Sequence, residues 1–180
     1  MILQTEHLIL RPFLESDVDA LHVFCSDFEN IEHMDWGPNT LEQTKLFISE
    51  VTATEECENR KEFSFAVTLR SSGQVIGSCS IWIRNAAHRH GGMGYVLNKR
   101  FWRNGYGTEL SKALIKFGFE TLRCHRISAT CSPSNIGSKL LLEKVGFKLE
   151  GHLRDELYVR DSWRDSLLFS ILEFDYVGAR

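Results

Sequence analysis

The residues whose types and spacing invite chemistry lie in the second half of the chain. Trp102-Arg103-Asn104-Gly105-Tyr106-Gly107-Thr108-Glu109 follows the short run Gly94-Tyr95-Val96-Leu97 and opens a helical pattern. Glycines at 105 and 107 let the backbone curl tightly and point successive N–H groups at one spot. A helix start leaves its first amides without intrahelical partners, and the dipole adds positive potential. Together these suit an anion, most naturally a phosphate or pyrophosphate, with Arg103 adding a charge and Thr108 a hydroxyl. The same glycines also suit a plain strand-to-helix turn, and spacing alone leaves both readings open. A dinucleotide fingerprint would need a glycine where Leu110 stands, and no Gly-Lys-Ser/Thr tripeptide occurs.

The second such stretch is Ser134-Asn135-Ile136-Gly137-Ser138-Lys139-Leu140-Leu141-Leu142-Glu143-Lys144-Val145-Gly146-Phe147. On a helix Asn135 and Ser138 are three apart and share a face. They could serve a ligand, or be no more than an N-cap and a solvated hydroxyl.

These stretches need elements to position them. Leu8-Ile9-Leu10-Arg11 reads as a strand stopped by Pro12. Ser16 reads as the N-cap of a helix carrying Val18, Leu21, Phe24 and Cys25. Thr40-Leu41-Glu42-Gln43 is a capping box opening a second helix. Phe63 to Leu69 and Val75 to Ile83 read as a hairpin around Ser71-Ser72-Gly73, and Met93 to Leu97 as a further strand. The helix after Gly107 is expected to run to about Leu122, with Leu110, Ala113, Leu114 and Phe117 on its apolar face. Arg126 to Cys131 is a strand. The helix after Ser134 or Asn135 stops at Gly146. Lys148 to Val159 and Trp163 to Phe174 close the chain as a hairpin with its turn near Asp161-Ser162. Interspersed strands and helices argue for an α/β (α+β mixed) fold, a mixed sheet with helices on both faces.

Composition narrows the function. The 180 residues are 43% hydrophobic and 25% charged, an ordinary globular balance. One domain spanning residues 1–180 is expected, able to bury roughly 70% of its extended-chain surface without a disulfide or metal. A net charge of −3 argues against general nucleic-acid binding. Five irregularly spaced cysteines (Cys25, Cys57, Cys79, Cys124 and Cys131) with no Cys-x-x-Cys pair read as reduced thiols. No His-Glu-x-x-His motif supports a metal site. The opening residues lack a signal-peptide pattern and no apolar run approaches 18 residues, so a cytoplasmic protein without a membrane span is expected.

Taken together, the motifs resemble the GNAT superfamily of acetyl-CoA-dependent N-acetyltransferases. More narrowly they resemble the branch of ribosomal-protein Nα-acetyltransferases (RimJ/RimL type). Thr5-Glu6-His7-Leu8-Ile9-Leu10-Arg11-Pro12 resembles that branch's first strand. Gly94 to Leu97 with Trp102 to Glu109 resembles its acetyl-CoA loop. Asn135 to Phe147 resembles its "N…S…L-E-K-x-G-F" helix. Glu150 to Arg154 and Trp163-Arg164-Asp165 resemble its closing hairpin. The likeness covers nearly the whole chain, in order. It implies a central, mostly antiparallel sheet whose strands splay at the acetyl-CoA site.

The resemblance implies roles. The CoA pyrophosphate would lie on the backbone from Arg103 through Asn104, Gly105, Tyr106 and Gly107 to Thr108, next to Trp102. The pantetheine arm would lie along Tyr95, Val96 and Leu97, with Asn135 beside it. Ser138 would hydrogen-bond to or protonate the departing thiolate, and Lys144 would approach the nucleotide end or remain a solvated lysine. Trp102 stands where the superfamily often has Gln or Arg. Gly92 stands where relatives often carry a glutamate, so a general base is missing from its usual position. His88, His90, Glu156 or water could replace it, with His90 the first choice for its pKa near neutrality. Strand alternation sets Asp155 and Leu157 opposite Glu156. Cys131 reads as a wall residue beside a direct transfer, although an acetyl-cysteine is chemically possible.

The expected acceptor is a primary amine. A protein or peptide α-amine has a pKa of roughly 8 against 10.4 for lysine, so at pH 7 its deprotonation costs about 1.4 rather than about 4.6 kcal/mol. A polyamine, an aminoglycoside or an amino-acid-like compound is the alternative, hinted at by Asp27, Glu29, Glu32 and Asp35. A CoA-binding sensor without transfer is the reading from another class. Trp36 is a candidate either for the acceptor site or for a homodimer face.

Overall fold

The computed structural model describes residues 1–55, 57 and 59–176. Among the described residues eight strands form one sheet. In chain order they are β1 (Leu3–Gln4), β2 (Leu8–Arg11), β3 (Glu62–Leu69), β4 (Val75–Asn85), β5 (His90–Leu97), β6 (Arg126–Cys131), β7 (Lys148–Val159) and β8 (Ser162–Leu172). The spatial order is β1-β2-β3-β4-β5-β6-β8-β7. Among the described residues the one parallel pairing is β5 with β6. Five α-helices cross the faces: α1 (Val18–Cys25), α2 (Phe28–Ile31), α3 (Leu41–Glu55), α4 (Tyr106–Lys116) and α5 (Ile136–Lys144).

Strand alternation sends residues to two apolar clusters. Leu110 and Leu114 of α4 and Leu142 of α5 pack with Phe65, Ile81, Met93, Ile127 and Phe169. On the other face Leu21, Phe24 and Cys25 of α1 and Ile48 of α3 pack with Phe13, Ala66 and Val96. Each fully buried leucine is worth about 1.5–3 kcal/mol over its exposed state, which fixes the two layers of helices against the sheet. The expected mixed sheet with helices on both faces is therefore present.

Local chemistry sets the helix ends. The Thr40 capping box forms: Gln43 N–H donates to Thr40 Oγ1 at 3.2 Å and Thr40 N–H to Gln43 Oε1 at 2.8 Å. α5 stops at Gly146, whose φ of +100° lets Phe147 N–H reach Leu142 O at 3.0 Å and Gly146 N–H reach Glu143 O at 3.1 Å. Ser16 is not the cap that its type suggests. It lies inside a 3-10 turn at Glu15–Asp17, where the Asp17 carboxylate accepts Leu14 N–H at 2.9 Å and both Arg11 Nη atoms at 2.7 Å.

Other boundaries differ from the sequence expectation. α-Helical bonding ends at Lys116, and Phe117–Thr121 form a π turn. There Gly118 meets the sheet so closely that a Cβ would lie 2.5 Å from Ile127 Cδ1. β5 begins three residues earlier than expected, so His90 is a strand residue. The closing turn has Arg160 and Asp161 at φ +51° and +59°, one residue before the expected pair, and β8 ends at Leu172 rather than Phe174. β1 and α2 are too short to leave a periodic signature.

Candidate active site

The parallel pairing of β5 with β6 is short. It joins His90 to Arg126, Gly91 to Ile127 and Gly92 to Ser128, and then stops. From Met93 onward β5 stays on β4, while β6 continues along β8 to Cys131. The expected splay is this opening. It leaves one side of the β5 backbone without a strand partner, and such groups need hydrogen bonds from elsewhere. At its end Leu97 O is already taken, by Trp102 Nε1 at 2.8 Å and Asn30 Nδ2 at 3.2 Å.

Two clefts meet at the opening. A cleft of about 650 Å³ is lined by Tyr95, Val96, Leu97, Trp102, Arg103, Gly105, Gly107, Thr108, Asn135, Ser138 and Lys144, together with Leu140 and Leu141. Thus the structure gathers eleven of the thirteen residues expected at the cofactor. The other two have different side-chain contacts. Asn104 Nδ2 donates to Phe101 O and Trp102 O at 3.2 and 3.1 Å, and the Tyr106 ring lies 6.4 Å from that of His7. A second cleft of about 600 Å³, on the α1 and α3 side, is lined by Met34, Asp35, Trp36, Phe47, Glu62, Trp82, Arg84, Glu156, Leu157 and Arg164, among others. Six residues line both: His33, Met34, Tyr95, Val96, Asn135 and Ser138.

At this junction Tyr95 Oη is 3.0 Å from Ser138 Oγ. Burial pushes the tyrosine hydroxyl up to about 12, so it stays protonated at neutral pH. Burial also raises the Cys131 thiol, against the lowering contact of Ser138, which keeps it a thiol rather than a nucleophilic thiolate. Asn135 Oδ1 accepts Ser138 N–H at 3.0 Å. It is an N-cap and a cleft residue at once, so the two readings of Asn135 coexist.

The glycine loop has the geometry of an anion cradle. Arg103 and Gly105 both adopt left-handed φ, +63° and +85°. The first turn of bonding into α4 is Glu109 N–H to Gly105 O at 3.1 Å, and the three amides before it start the helix without an i−4 acceptor within it. A Cβ at Gly107 would come within 2.5 Å of Leu141 Cδ1, which lines the cleft. Glycine here lets the first turn of α4 pack closely on Leu141 of α5.

The candidate bases fall in different places. His90 sits at the closed end of the β5–β6 seam, with Nε2 3.1 Å from Ser128 Oγ. Its pKa is lowered, first by burial and then by Arg126 and Arg84. It is five residues, roughly 16 Å of strand, from Tyr95. His88 lies in the β4–β5 turn, its N–H on Asn85 Oδ1 at 3.1 Å. Glu156 lines the second cleft. Leu157 also touches this cleft, but it is half-buried where Glu156 is exposed, as alternation expects; the β7–β8 register shifts just before, between Leu153 and Leu157, with Asp155 at φ +48°. The place of the missing carboxylate is filled. A Cβ at Gly92 would lie 2.6 Å from Trp82 Cε2 and 2.8 Å from Arg84 Nε.

Residues 7–148 match the acetyltransferase (GNAT) domain family. The chain belongs to the GNAT family of acetyltransferases. A curated relative, the uncharacterized N-acetyltransferase p20 of Bacillus licheniformis, is 31% identical over 179 residues and 98% of each chain. The [ribosomal protein uS5]-alanine N-acetyltransferase of Escherichia coli is 32% identical over 88 residues, 49% of this chain and 45% of that protein. Among solved structures, a GNAT-family acetyltransferase from Bacillus anthracis has a TM-score of 0.86 at 29% identity, covering 97% of this chain and 99% of that one. Spermidine N-acetyltransferase from Vibrio cholerae, solved with CoA and spermine, has a TM-score of 0.81 at 20% identity over 95% and 98%, and shows the shared fold. The GNAT chain is thus an N-acetyltransferase enzyme. GNAT acetyltransferases use acetyl-CoA, and the glycine cradle and open β5 edge of this chain fit that group.

Sequence reasoning missed part of the wall. Asn30, His33, Met34, Glu62, Trp82 and Arg84 come from segments that are distant in sequence, with no motif of their own. Of the acidic four, Asp27 and Glu29 pair with Lys99 Nζ at 2.8 and 2.5 Å, and Glu32 lies 3.3 Å from His33 Nε2. Asp35 alone of the four lines the second cleft. Among the described residues no group of His, Cys, Asp and Glu could hold a metal, and no helix is long and apolar enough to cross a membrane.

Proposed function

We propose that this GNAT enzyme acetylates the α-amine of a peptide or protein N-terminus, in the manner of the RimJ/RimL branch. The observation that carries this reading is the filled space over Gly92, where the Trp82 indole leaves no room for a side chain. With only the exposed Glu156 offered as a base instead, the site suits an amine whose deprotonation costs about 1.4 kcal/mol rather than about 4.6. The partial likeness to a ribosomal-protein alanine acetyltransferase points the same way.

In this reading the first cleft holds acetyl-CoA. The amides from Arg103 to Thr108, with Lys144, would hold its phosphates, and Tyr95, Val96 and Leu97 would hold its pantetheine arm. The bound group supplies a thioester carbonyl for the amine to attack. The second cleft admits the amine, and Glu156 on its wall takes the proton, directly or through one water. Ser138, with Tyr95 behind it, donates a hydrogen bond to the departing sulfur. Arg164 lines the acceptor cleft, and its Nε is buried without an acceptor among the described residues.

Asp35, Glu62 and Glu156 on the same wall favour a second reading, a small cationic amine. The test compares kcat/KM for an alanine-initiated peptide and for spermidine, by thiol release. A peptide preference of about tenfold or more supports the first reading, and a spermidine preference replaces it with the second.

A further inference from the structure

The loop between α2 and α3, residues 32–40, gives His33 and Met34 to both clefts and Asp35 and Trp36 to the acceptor cleft. A loop at this position has few backbone bonds of its own. Met34 N–H reaches Ile31 O at 2.8 Å and Asn39 N–H reaches Cys25 O at 3.0 Å. The carbonyls between are held from the far end of the chain. Arg160, at the tip of the β7–β8 hairpin, donates from Nη1 to Glu32 O and Met34 O, both at 3.2 Å. Its Nη2 donates to Ile31 O at 3.2 Å and to Trp36 O at 2.8 Å. The guanidinium also stands 5.5 Å from the centre of the Phe28 ring. Arg164 adds a second grip, Nη1 to His33 O at 2.9 Å and to Met34 O at 3.1 Å.

Four carbonyls converging on one planar fork are a specific arrangement. A carbonyl at a helix end seeks a donor, and arginine meets several with fixed geometry. Arg160 stands at φ +51° in the two-residue turn between β7 and β8. It is not among the residues lining either cleft, so its influence on the acceptor runs through the loop.

We infer that Arg160 is a positioning residue for acceptor recognition: by clamping the carbonyls of residues 31–36 it sets Asp35 and Trp36 against the incoming amine. The inference rests on the second cleft being the acceptor site, and not on which amine enters it. The closing hairpin thereby becomes a determinant of acceptor specificity although its tip does not line the cleft.

The test uses Arg160→Ala and Arg160→Lys in the full chain, with the amine that the wild type turns over fastest. Expected for Arg160→Ala is a KM for the amine raised about tenfold, with kcat and the acetyl-CoA Kd within about threefold. Hydrogen exchange of amides 32–37 should accelerate about tenfold or more. Arg160→Lys, whose compact ammonium cannot span the fork, should recover part of the KM and part of the protection. Unchanged amine KM in a folded variant would overturn the inference. So would parallel losses in amine KM and acetyl-CoA Kd, which would mark a general structural role. A wild type that prefers spermidine would revise the acceptor reading alone and leave this comparison intact.

Discussion

Tyr95 Oη on β5 and Ser138 Oγ on α5 lie 3.0 Å apart, and both residues line both clefts. A buried, protonated tyrosine behind a serine gives the serine a steady hydrogen-bond partner while its own hydroxyl meets the sulfur. Ser138→Ala should lower kcat about a hundredfold, within the range for general acid groups, and leave the acetyl-CoA Kd nearly unchanged. Tyr95→Phe should lower kcat about tenfold. The double variant should cost little more than Ser138→Ala alone, because the two act as a unit. Additive losses in steady-state rates would separate them.

Proton removal divides Glu156 from His90. Glu156→Gln should lower kcat/KM for the amine about tenfold. His90, at the closed end of the seam on Ser128, should leave kcat/KM within about twofold when changed to Ala. A loss of about tenfold in His90→Ala, with none in Glu156→Gln, would reverse the assignment.

The cradle can be tested at Gly107. The Cβ of a Gly107→Val variant would press on Leu141, so acetyl-CoA affinity should fall at least tenfold while Tm stays within a few degrees. Calorimetric titration reads the first and thermal unfolding the second. Gly105→Ala should behave differently. It has open space but a φ of +85°, so it should lose about 1–2 kcal/mol of stability.

Glu150 supplies the pH dependence of stability at the seam. Bonds from Arg126 first, and then from Ser170 at 2.6 Å, hold its pKa at about 2 in the folded chain. A depressed acid stabilises the fold at pH above its ordinary pKa of roughly 4.3, and that contribution is lost as pH falls toward 2. The group is about a third exposed, so screening limits the effect to about 1 kcal/mol or less, or about 2–4 °C in Tm. Glu150→Gln should therefore lower Tm near pH 7, with the gap closing between about pH 4 and 2. A gap that is constant across that window would show that Glu150 acts through packing.

The cofactor side was legible because its chemistry is local. Gly105, Gly107, Asn135 and Ser138 sit in two contiguous stretches, where turn geometry and helix capping act over a few residues. The acceptor side is assembled from α1, the loop after α2, α3, β3, β4 and the closing hairpin, among others, and contacts such as Arg160 to Trp36 span 124 residues. No period or motif encodes them. The closing hairpin shows the limit of pattern: a left-handed Asp155, whose N–H reaches Asp165 Oδ1 at 2.9 Å, sits where the β7–β8 register shifts, and no alternation announces it. His90 shows another. Its loop-like neighbours hide a strand whose pairing with Arg126 is set by tertiary contacts. The π turn at Gly118 likewise answers to Ile127 and Ile81 across the layer, not to helix propensity.

The most direct measurement is calorimetric binding of a bisubstrate compound, CoA joined through its acetyl carbon to the α-amine of an alanine-initiated peptide. If the clefts meet at Tyr95 and Ser138 and the second takes a peptide amine, it should bind at least about a hundredfold tighter than CoA, since one link gives both halves a high effective concentration. It should also outbind the matching CoA–spermidine compound. A bisubstrate that binds no better than CoA alone would contradict the meeting of the two clefts as the point of acetyl transfer to a peptide amine.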